Sequence, residues 1–231
     1  MTSRKRVSRL GSRVSDPESF LAPDTPHPAP EARPRRIRAF LAVDLDPVVH
    51  AGLVRLKHEL AAIAPNVRWV GDAGLHATLK FLGAVEPAQL DAVRDALLPQ
   101  LERFPCFTAG AGGLGVFPSL RRPRVVWIGL DGAGFTDMAR LIENALAPLG
   151  FSAERRPFRA HVTLARIEAP RGWTQLEDAA RAHWNDHFGP SIINSLIAYR
   201  SDLRPGGAVY TRLWTIALED TRGGVAHGTG R

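Results

Sequence analysis

Two short segments of the chain carry residues that can do proton chemistry. They are His76-Ala-Thr-Leu79 and His161-Val-Thr-Leu164, and their histidines lie about 85 residues apart. Histidine titrates near neutral pH, so one imidazole can accept a proton while the other donates one. The threonine hydroxyls can donate hydrogen bonds to oxygens on which negative charge develops. Two imidazoles and two hydroxyls in one groove suit cleavage of a phosphodiester, and no metal ion is needed.

The occurrence of two matching motifs, rather than either motif alone, supports a functional interpretation. A single histidine on a strand is more often a structural residue, and a single His-x-Thr match arises easily by chance. Two matches that share an apolar second residue and a fourth-position leucine are expected by accident about once in several thousand such sequences. The other histidines are given structural or tail positions: His27, His50, His58, His183, His187 and His227.

Strand geometry predicts how each motif is presented. Successive side chains of a strand point to opposite faces, so His76 and Thr78 share one face. His161 and Thr163 share a face in the same way. The opposite faces are apolar and are predicted to pack on helices: Ala77, Leu79, Phe81, Val162 and Leu164.

Strands and helices alternate over residues 37–220, which predicts an α+β domain. Each half offers a helix, a His-x-Thr strand, a helix and a strand pair, an approximate internal duplication. Gly83 is expected to end a strand, and Pro99 to kink a helix or end it early. Strands are predicted at 37–45, 75–82, 107–116, 125–130, 160–167, 192–200 and 210–218, and helices at 48–63, 87–101, 135–149 and 176–184.

The two ends of the chain have the composition of disordered segments. Residues 1–36 are rich in Arg, Ser and Pro and are predicted to be a basic extension rather than a transit peptide; residues 221–231 are predicted to be a flexible tail. The extension carries +4 of the net charge of +7, so the domain itself is only mildly basic. The single cysteine, Cys106, fits a reducing compartment, and no apolar run is long enough to span a membrane. We expect a cytoplasmic monomer without a membrane partner.

Around both motifs the sequence resembles the two-histidine (2H) phosphoesterases, and within them the RNA 2′,3′-cyclic phosphodiesterases, also called 2′-5′ RNA ligases. The resemblance implies a two-lobed, pseudo-symmetric fold of antiparallel sheets flanked by helices, with a central cleft that carries both His-x-Thr strands. Ala160 stands where relatives often have proline. The similarity covers about residues 36–219 and rests on the segments Arg38–Leu45, Val67–Val70, Leu75–Gly83, Gly115–Pro118, Arg124–Leu130, Phe158–Arg166 and Leu203–Tyr210.

The resemblance also implies an activity and the residues that perform it. The activity is hydrolysis of the 2′,3′-cyclic phosphate ends of RNA to 2′-phosphates. Because the sequence shows no carboxylate cluster and no His-rich metal spacing beside the motifs, the simplest interpretation is a mechanism without metal or cofactor. His76 is implied as the proton donor and His161 as the proton acceptor, while Thr78 and Thr163 bind the phosphate. Arg166, five residues after the second histidine, is implied as a further phosphate contact. Strict alternation would point Arg166 away from the His161 face, so this role requires the strand to end or twist there.

Other functions remain open at the level of sequence. The same groups would serve ligation that forms a 2′,5′ linkage, and a small cyclic nucleotide could replace RNA as substrate. A non-catalytic RNA-end binder is disfavoured, because both histidines are present. Trp69, Trp127 and Trp214 either stack on a base or belong to the core, and a core position is favoured. Arg121, Arg122 and Arg124 either contact RNA phosphates or form a solvated loop.

Overall fold

The computed structural model describes residues 36–205 and 207–221, with the side chains of residues 170–172 excepted, and within them the chain forms nine strands and four α-helices. All described residues belong to the compact unit Pro34–Arg231. The expected extension over residues 1–36 and the expected tail over residues 221–231 lie, apart from Arg36 and Thr221, outside the described residues. No helix in the described part is long and apolar enough to cross a membrane.

The elements alternate along the chain as the sequence predicts. The strands are β1 (Ile37–Val43), β2 (Arg68–Trp69), β3 (Ala77–Val85), β4 (Phe107–Phe117), β5 (Val125–Asp131), β6 (His161–Arg166), β7 (His187–Ile193), β8 (Ser195–Arg204) and β9 (Gly207–Ala217). The helices are α1 (Pro47–Ile63), α2 (Pro87–Leu101), α3 (Ala133–Leu146) and α4 (Pro170–Ala182), and two 3₁₀ turns cover Asp72–Gly74 and Ala147–Leu149.

The strands join into one curled antiparallel sheet. Its order is β7-β4-β5-β6-β3-β1-β8-β9, with β2 added beside β6. The order is symmetric about the contact between β6 and β3, the two strands that carry the His-x-Thr motifs. The α+β class and the antiparallel pairing are confirmed. The expectation of separate sheets is wrong, because one residue pair, Ala77 with Val162, joins β3 to β6 and makes the sheet continuous.

Alternation along β1 shows how the two faces of the sheet are used. Ala39, Leu41 and Val43 are buried in the main core, which also holds the buried side chains of the four helices. Phe40 and Ala42 point the other way and form a second, smaller cluster with neighbours on β8. The sheet therefore packs one face on helices and leaves the opposite face for a small aromatic cluster and a groove.

Proline positions mark the helix starts. Pro47, Pro87 and Pro170 occupy the first turns of α1, α2 and α4, where a proline lacks only an N–H that has no helical partner. Glu86 and Gln89 add a capping box at the start of α2. The expectation that Pro99 kinks or shortens α2 is wrong in its second part, because the helix runs through Pro99 to its last residue. Pro99 is exposed in the last turn.

Several predicted boundaries move. Gly83 does not end β3; it has φ of 75° inside the strand, at a register shift against β1, and the strand continues to Val85. The strand predicted at 192–200 is two strands, β7 and β8, which meet at Asn194. α4 begins six residues earlier than predicted, at Pro170. β2 was not predicted at all, because two residues are too few to show a period.

A buried ion pair ties the first motif strand to α3. The Lys80 ammonium donates to both Glu143 oxygens, at 2.7 and 2.6 Å, and to the Ser152 carbonyl at 2.7 Å. The Lys80 side chain is 6% exposed and the Glu143 side chain is 26% exposed. The three bonds satisfy every donor of the ammonium, so they offset the cost of burying the Lys80 charge.

We predict that Glu143→Ala lowers the free energy of unfolding by about 2–3 kcal/mol. This is less than the ~3–5 kcal/mol of a fully buried pair, because Glu143 keeps some solvent contact. Urea denaturation at pH 7 measures it. The matched control is Asp137→Ala on the same helix, which breaks the exposed pair with Arg140 and is expected to cost less than about 1 kcal/mol. Equal losses in the two variants would contradict a structural role for the Lys80 pair.

Candidate active site

The two motif strands meet at a single point, and that point sets the site. Ala77 of β3 pairs antiparallel with Val162 of β6, and both side chains are fully buried. In an antiparallel pair, the residues before and after such a point oppose each other crosswise. His76 therefore lies beside Thr163, and Thr78 lies beside His161, on the face away from the core.

A groove of about 790 Å³ opens on this face. Its lining includes all five residues proposed from sequence: His76, Thr78, His161, Thr163 and Arg166. Within the described part of the chain, the other charged side chains of the lining are arginines, and no carboxylate lines it. The groove is therefore suited to an anion.

A β-bulge in each motif strand changes the faces downstream of the histidines. On β3, Thr78 pairs with Ala42 and Lys80 with Leu41, so Leu79 is an extra residue. Leu79 and Lys80 both point to the buried side, and Phe81 turns to the groove, where it is 68% exposed. The prediction that Phe81 packs in the core is therefore wrong, because a bulge inserts one residue and breaks the alternation.

The same irregularity occurs at the equivalent place on β6. Thr163 pairs with Trp127 and Ala165 with Val126, which leaves Leu164 as the extra residue. Leu164 and Ala165 are both fully buried, so the next residue, Arg166, turns to the groove and is exposed. The bulge supplies the change of face that a phosphate-contact role for Arg166 requires. Arg166 and Phe81 thus occupy corresponding positions, five residues after their histidines.

The His76 imidazole is packed among aromatic rings. It stacks on Phe40 with centroids 4.8 Å apart and on Tyr199 at 5.4 Å, while Tyr210 meets it edge-on at 5.1 Å. Its side chain is 9% exposed, and its Nδ1 has no hydrogen-bond partner among the described residues. Burial lowers the pKa of His76 to about 4, against a smaller upward effect of the Asp44 carboxylate. The free imidazole is therefore neutral at pH 7.

Asp44 holds Tyr199, one ring of this aromatic cluster, through a hydrogen bond. It accepts a hydrogen bond from the Tyr199 hydroxyl at 2.8 Å and another from Arg212 at 2.7 Å. Burial, together with the bond to Asp44, raises the pKa of Tyr199 to about 12. The phenol therefore stays protonated over the working range of an enzyme and holds its ring against His76.

The His161 imidazole is oriented by the backbone instead. Its Nδ1 lies 2.7 Å from the Arg159 carbonyl oxygen. A carbonyl can only accept, so Nδ1 carries the proton and Nε2 presents a lone pair to the groove. Burial lowers the pKa of His161; the bond to the Arg159 carbonyl opposes this and the charge of Arg166 adds to it. His161 therefore has the tautomer and the charge state of a proton acceptor.

The turn that leads into His76 is held by a buried lysine. Lys57 on α1 donates to the Val70 carbonyl at 3.0 Å and to the Asp72 carboxylate. His58 also bonds that carboxylate, at 3.0 Å. The hydrogen bond from Lys57 is the main reason that the pKa of Asp72 is lowered. Gly74 is required here, because a Cβ would lie 2.8 Å from the Tyr210 ring.

Sequence reasoning missed this support. The signal available was Lys57 on the apolar face of α1, at a position that helical periodicity reserves for the core. A buried lysine needs a partner, but the sequence did not identify Asp72 as that partner. The aromatic cluster around His76 was missed for a related reason, since Phe40, Tyr199 and Tyr210 lie on three different strands.

The tryptophans and loop arginines considered as RNA contacts differ in whether they line the groove. Trp69 lines the groove and donates its indole N–H to the Ala64 carbonyl at 3.0 Å. Trp127 stacks on Phe117 and meets His161 edge-on, and Trp214 packs against the core. The loop arginines do not line the groove; one of them, Arg124, bonds the Glu168 carbonyl instead.

The chain is similar to known phosphoesterases. Residues 43–127 match the family described as LigT-like phosphoesterases. The chain is 32% identical over 184 residues to the RNA 2′,3′-cyclic phosphodiesterase of Methanothermobacter thermautotrophicus. The aligned region covers 79% of this chain and 100% of that protein.

Solved structures agree with this match. A protein of Thermus thermophilus superposes with a TM-score of 0.68 at 27% identity, covering 80% of this chain and all of the other. E. coli LigT in complex with 3′-AMP superposes with a TM-score of 0.63 at 26% identity, covering 79% and 98% of the two chains.

The low pKa of His76 predicts a loss of stability in acid. The unfolded state binds the proton first, near pH 6.5, and the folded state only near pH 4. The contribution of neutral His76 is therefore fully present above about pH 6.5 and is lost as the pH falls toward 4. As the pH falls from 7 to 4, the free energy of unfolding should decrease less in His76→Gln than in the parent protein. The two decreases should differ by up to about 3 kcal/mol.

Urea unfolding at pH 7, 5.5 and 4 measures this difference. The control is His187→Gln, which replaces an exposed histidine on β7. Comparing the pH dependence, rather than stability at one pH, removes any effect of the substitution on packing. Parallel curves for the parent and for His76→Gln would rule out a buried, neutral imidazole at this position.

Proposed function

Because the chain belongs to the LigT-like, two-histidine phosphoesterase family, we propose that it hydrolyses the 2′,3′-cyclic phosphate ends of RNA to 2′-phosphates. One observation carries the proposal: two imidazoles from antiparallel strands face one cationic groove, each beside a threonine of the other motif. The Methanothermobacter relative is an RNA 2′,3′-cyclic phosphodiesterase, and a structure of E. coli LigT contains 3′-AMP. Both support a nucleotide phosphate as the ligand.

In this proposal His161 acts as the proton acceptor. Its Nε2 takes a proton from a water molecule, whose oxygen attacks phosphorus on the side opposite the 3′ oxygen. The bond from phosphorus to the 3′ oxygen breaks, and the bond to the 2′ oxygen remains. The Arg159 carbonyl, which fixes the proton on Nδ1, stabilises the imidazolium that forms. Proton exchange with solvent then restores the neutral ring.

His76 acts as the proton donor to the departing 3′ oxygen. A donor must be protonated, whereas burial keeps the pKa of the free imidazole at about 4. A phosphate anion bound beside the ring favours its charged form and raises this pKa. Substrate binding and protonation of His76 are therefore coupled. The aromatic cluster excludes water from the ring, which strengthens its attraction to the phosphate.

Thr78, Thr163 and Arg166 are assigned to the phosphate itself. The two hydroxyls donate hydrogen bonds to its non-bridging oxygens, and the guanidinium supplies a fixed positive charge. Arg166 also lowers the pKa of His161, which keeps the proton acceptor neutral before reaction. Side chains carry out both proton transfers, so the proposed mechanism uses no metal and no cofactor.

The test is hydrolysis of an oligonucleotide that ends in a 2′,3′-cyclic phosphate, in the presence of a chelator, with the product mapped. We expect a 2′-phosphate with a free 3′-hydroxyl. His76→Ala and His161→Ala should each lower kcat/KM by about 10²–10⁴, because each removes one proton transfer. His187→Ala is the control and should retain full activity.

Three results would count against the proposal. Full activity in either motif variant would exclude the two-histidine mechanism. A 3′-phosphate product would exclude the assigned direction of bond cleavage. Activity only after a divalent metal is added would exclude the metal-free mechanism.

A further inference from the structure

The groove extends well beyond the two histidines, along strands β1 and β8. We call this part the outer end; its lining residues are Arg38, Gly83, Ser201, Leu203 and Ala208. These residues take no part in the proton transfers or the phosphate contacts assigned to the two motifs.

Arg38 is the charged residue of the outer end. β1 pairs antiparallel with β8 through Ala39 and Arg200, so the next position sets Arg38 opposite Ser201. Arg38 is exposed and has no hydrogen bond or ion pair with any residue in the described ranges. By contrast, Arg36 pairs with Glu86, and Arg200 pairs with Asp202. Arg38 thus keeps its charge available, whereas Arg36 and Arg200 each have a carboxylate partner.

Arg38 lies one strand repeat beyond the aromatic ring that packs on His76. Phe40 stacks directly on His76, at 4.8 Å. Arg38 lies on the same face of β1, two residues or about 7 Å further along the strand. Phe81 and Leu203 line the groove as well and are 68% and 61% exposed. Exposed apolar side chains beside a free guanidinium suit a nucleoside and the phosphate attached to it.

We propose that Arg38 and Ser201 form a second phosphate subsite, which binds the internucleotide phosphate one nucleotide upstream of the cyclic end. The guanidinium and the hydroxyl donate hydrogen bonds to its non-bridging oxygens. This inference rests on the proposed function and makes it more specific. The preferred substrate is an oligonucleotide end, and a mononucleoside 2′,3′-cyclic phosphate lacks one of the two anionic contacts.

Three substrates test the subsite. The first is a nucleoside 2′,3′-cyclic phosphate with a free 5′-hydroxyl. The second is a dinucleotide with the same cyclic end and a normal internucleotide phosphate. The third is that dinucleotide with an uncharged methylphosphonate linkage. For the parent protein, kcat/KM should be about ten- to hundredfold higher on the second substrate than on the first or the third.

The variants are Arg38→Gln and Ser201→Ala, with Arg103→Gln as the charge-matched control outside the groove. Arg38→Gln should lose about ten- to hundredfold in kcat/KM on the normal dinucleotide and change less than about twofold on the other two substrates. Ser201→Ala should show the same selectivity with a smaller loss. Arg103→Gln should match the parent on all three. Retained activity on the mononucleotide shows that the Arg38 variant is folded.

The outcomes separate the two proposals. If the parent cleaves all three substrates and Arg38→Gln lowers them equally, or lowers none, the subsite is excluded while the proposed function stands. If the parent prefers the charged dinucleotide but the preference survives in Arg38→Gln, the upstream phosphate binds elsewhere and the assignment is wrong. If the parent cleaves none, the proposed function fails, and the subsite falls with it.

Discussion

One backbone pairing, between Ala77 and Val162, determines the arrangement of the candidate site. It joins the half β7-β4-β5-β6, with β2 beside β6, to the half β3-β1-β8-β9 in a single sheet. It also makes the two motif strands antiparallel neighbours. Because the pairing is antiparallel, each histidine stands beside the threonine of the other motif. Both paired residues are fully buried, so a larger or polar side chain at either would disturb the core and the site together. A bulge then follows in each strand and turns Phe81 and Arg166 into the groove.

The local symmetry does not extend to the surroundings of the two histidines. His161 donates from Nδ1 to a carbonyl, which leaves Nε2 free to accept a proton. His76 lies in an aromatic cluster with no partner at Nδ1 among the described residues, and burial lowers its pKa to about 4. The neighbours thus give two matching His-x-Thr motifs different packing and hydrogen-bonding environments. These neighbours provide a physical basis for assigning unequal roles to two chemically equal side chains.

The parts of this structure that could be predicted from sequence are those that depend on short-range pattern. The motif pair follows from residue types and their spacing. The α+β class and most helix and strand positions follow from periodicity and proline placement. The bulges at Leu79 and Leu164 could not be predicted, because a bulge is defined by the pairing partner and not by the strand alone. The Lys57–Asp72 pair and the cluster around His76 depend on contacts between distant segments. The prediction that Phe81 packs in the core is wrong because of the bulge at Leu79, which breaks the alternation along β3.

The assignment of donor and acceptor is the central claim, and a sulfur-substituted substrate tests it most directly. In an RNA end whose 3′ bridging oxygen is replaced by sulfur, the leaving thiolate departs without a proton, because a thiol is far more acidic than an alcohol. Hydrolysis of this substrate by His76→Ala should return to near the parent rate, while His161→Ala should remain inactive. Rescue of His161→Ala instead would reverse the roles, and rescue of neither variant would contradict acid–base catalysis by this pair.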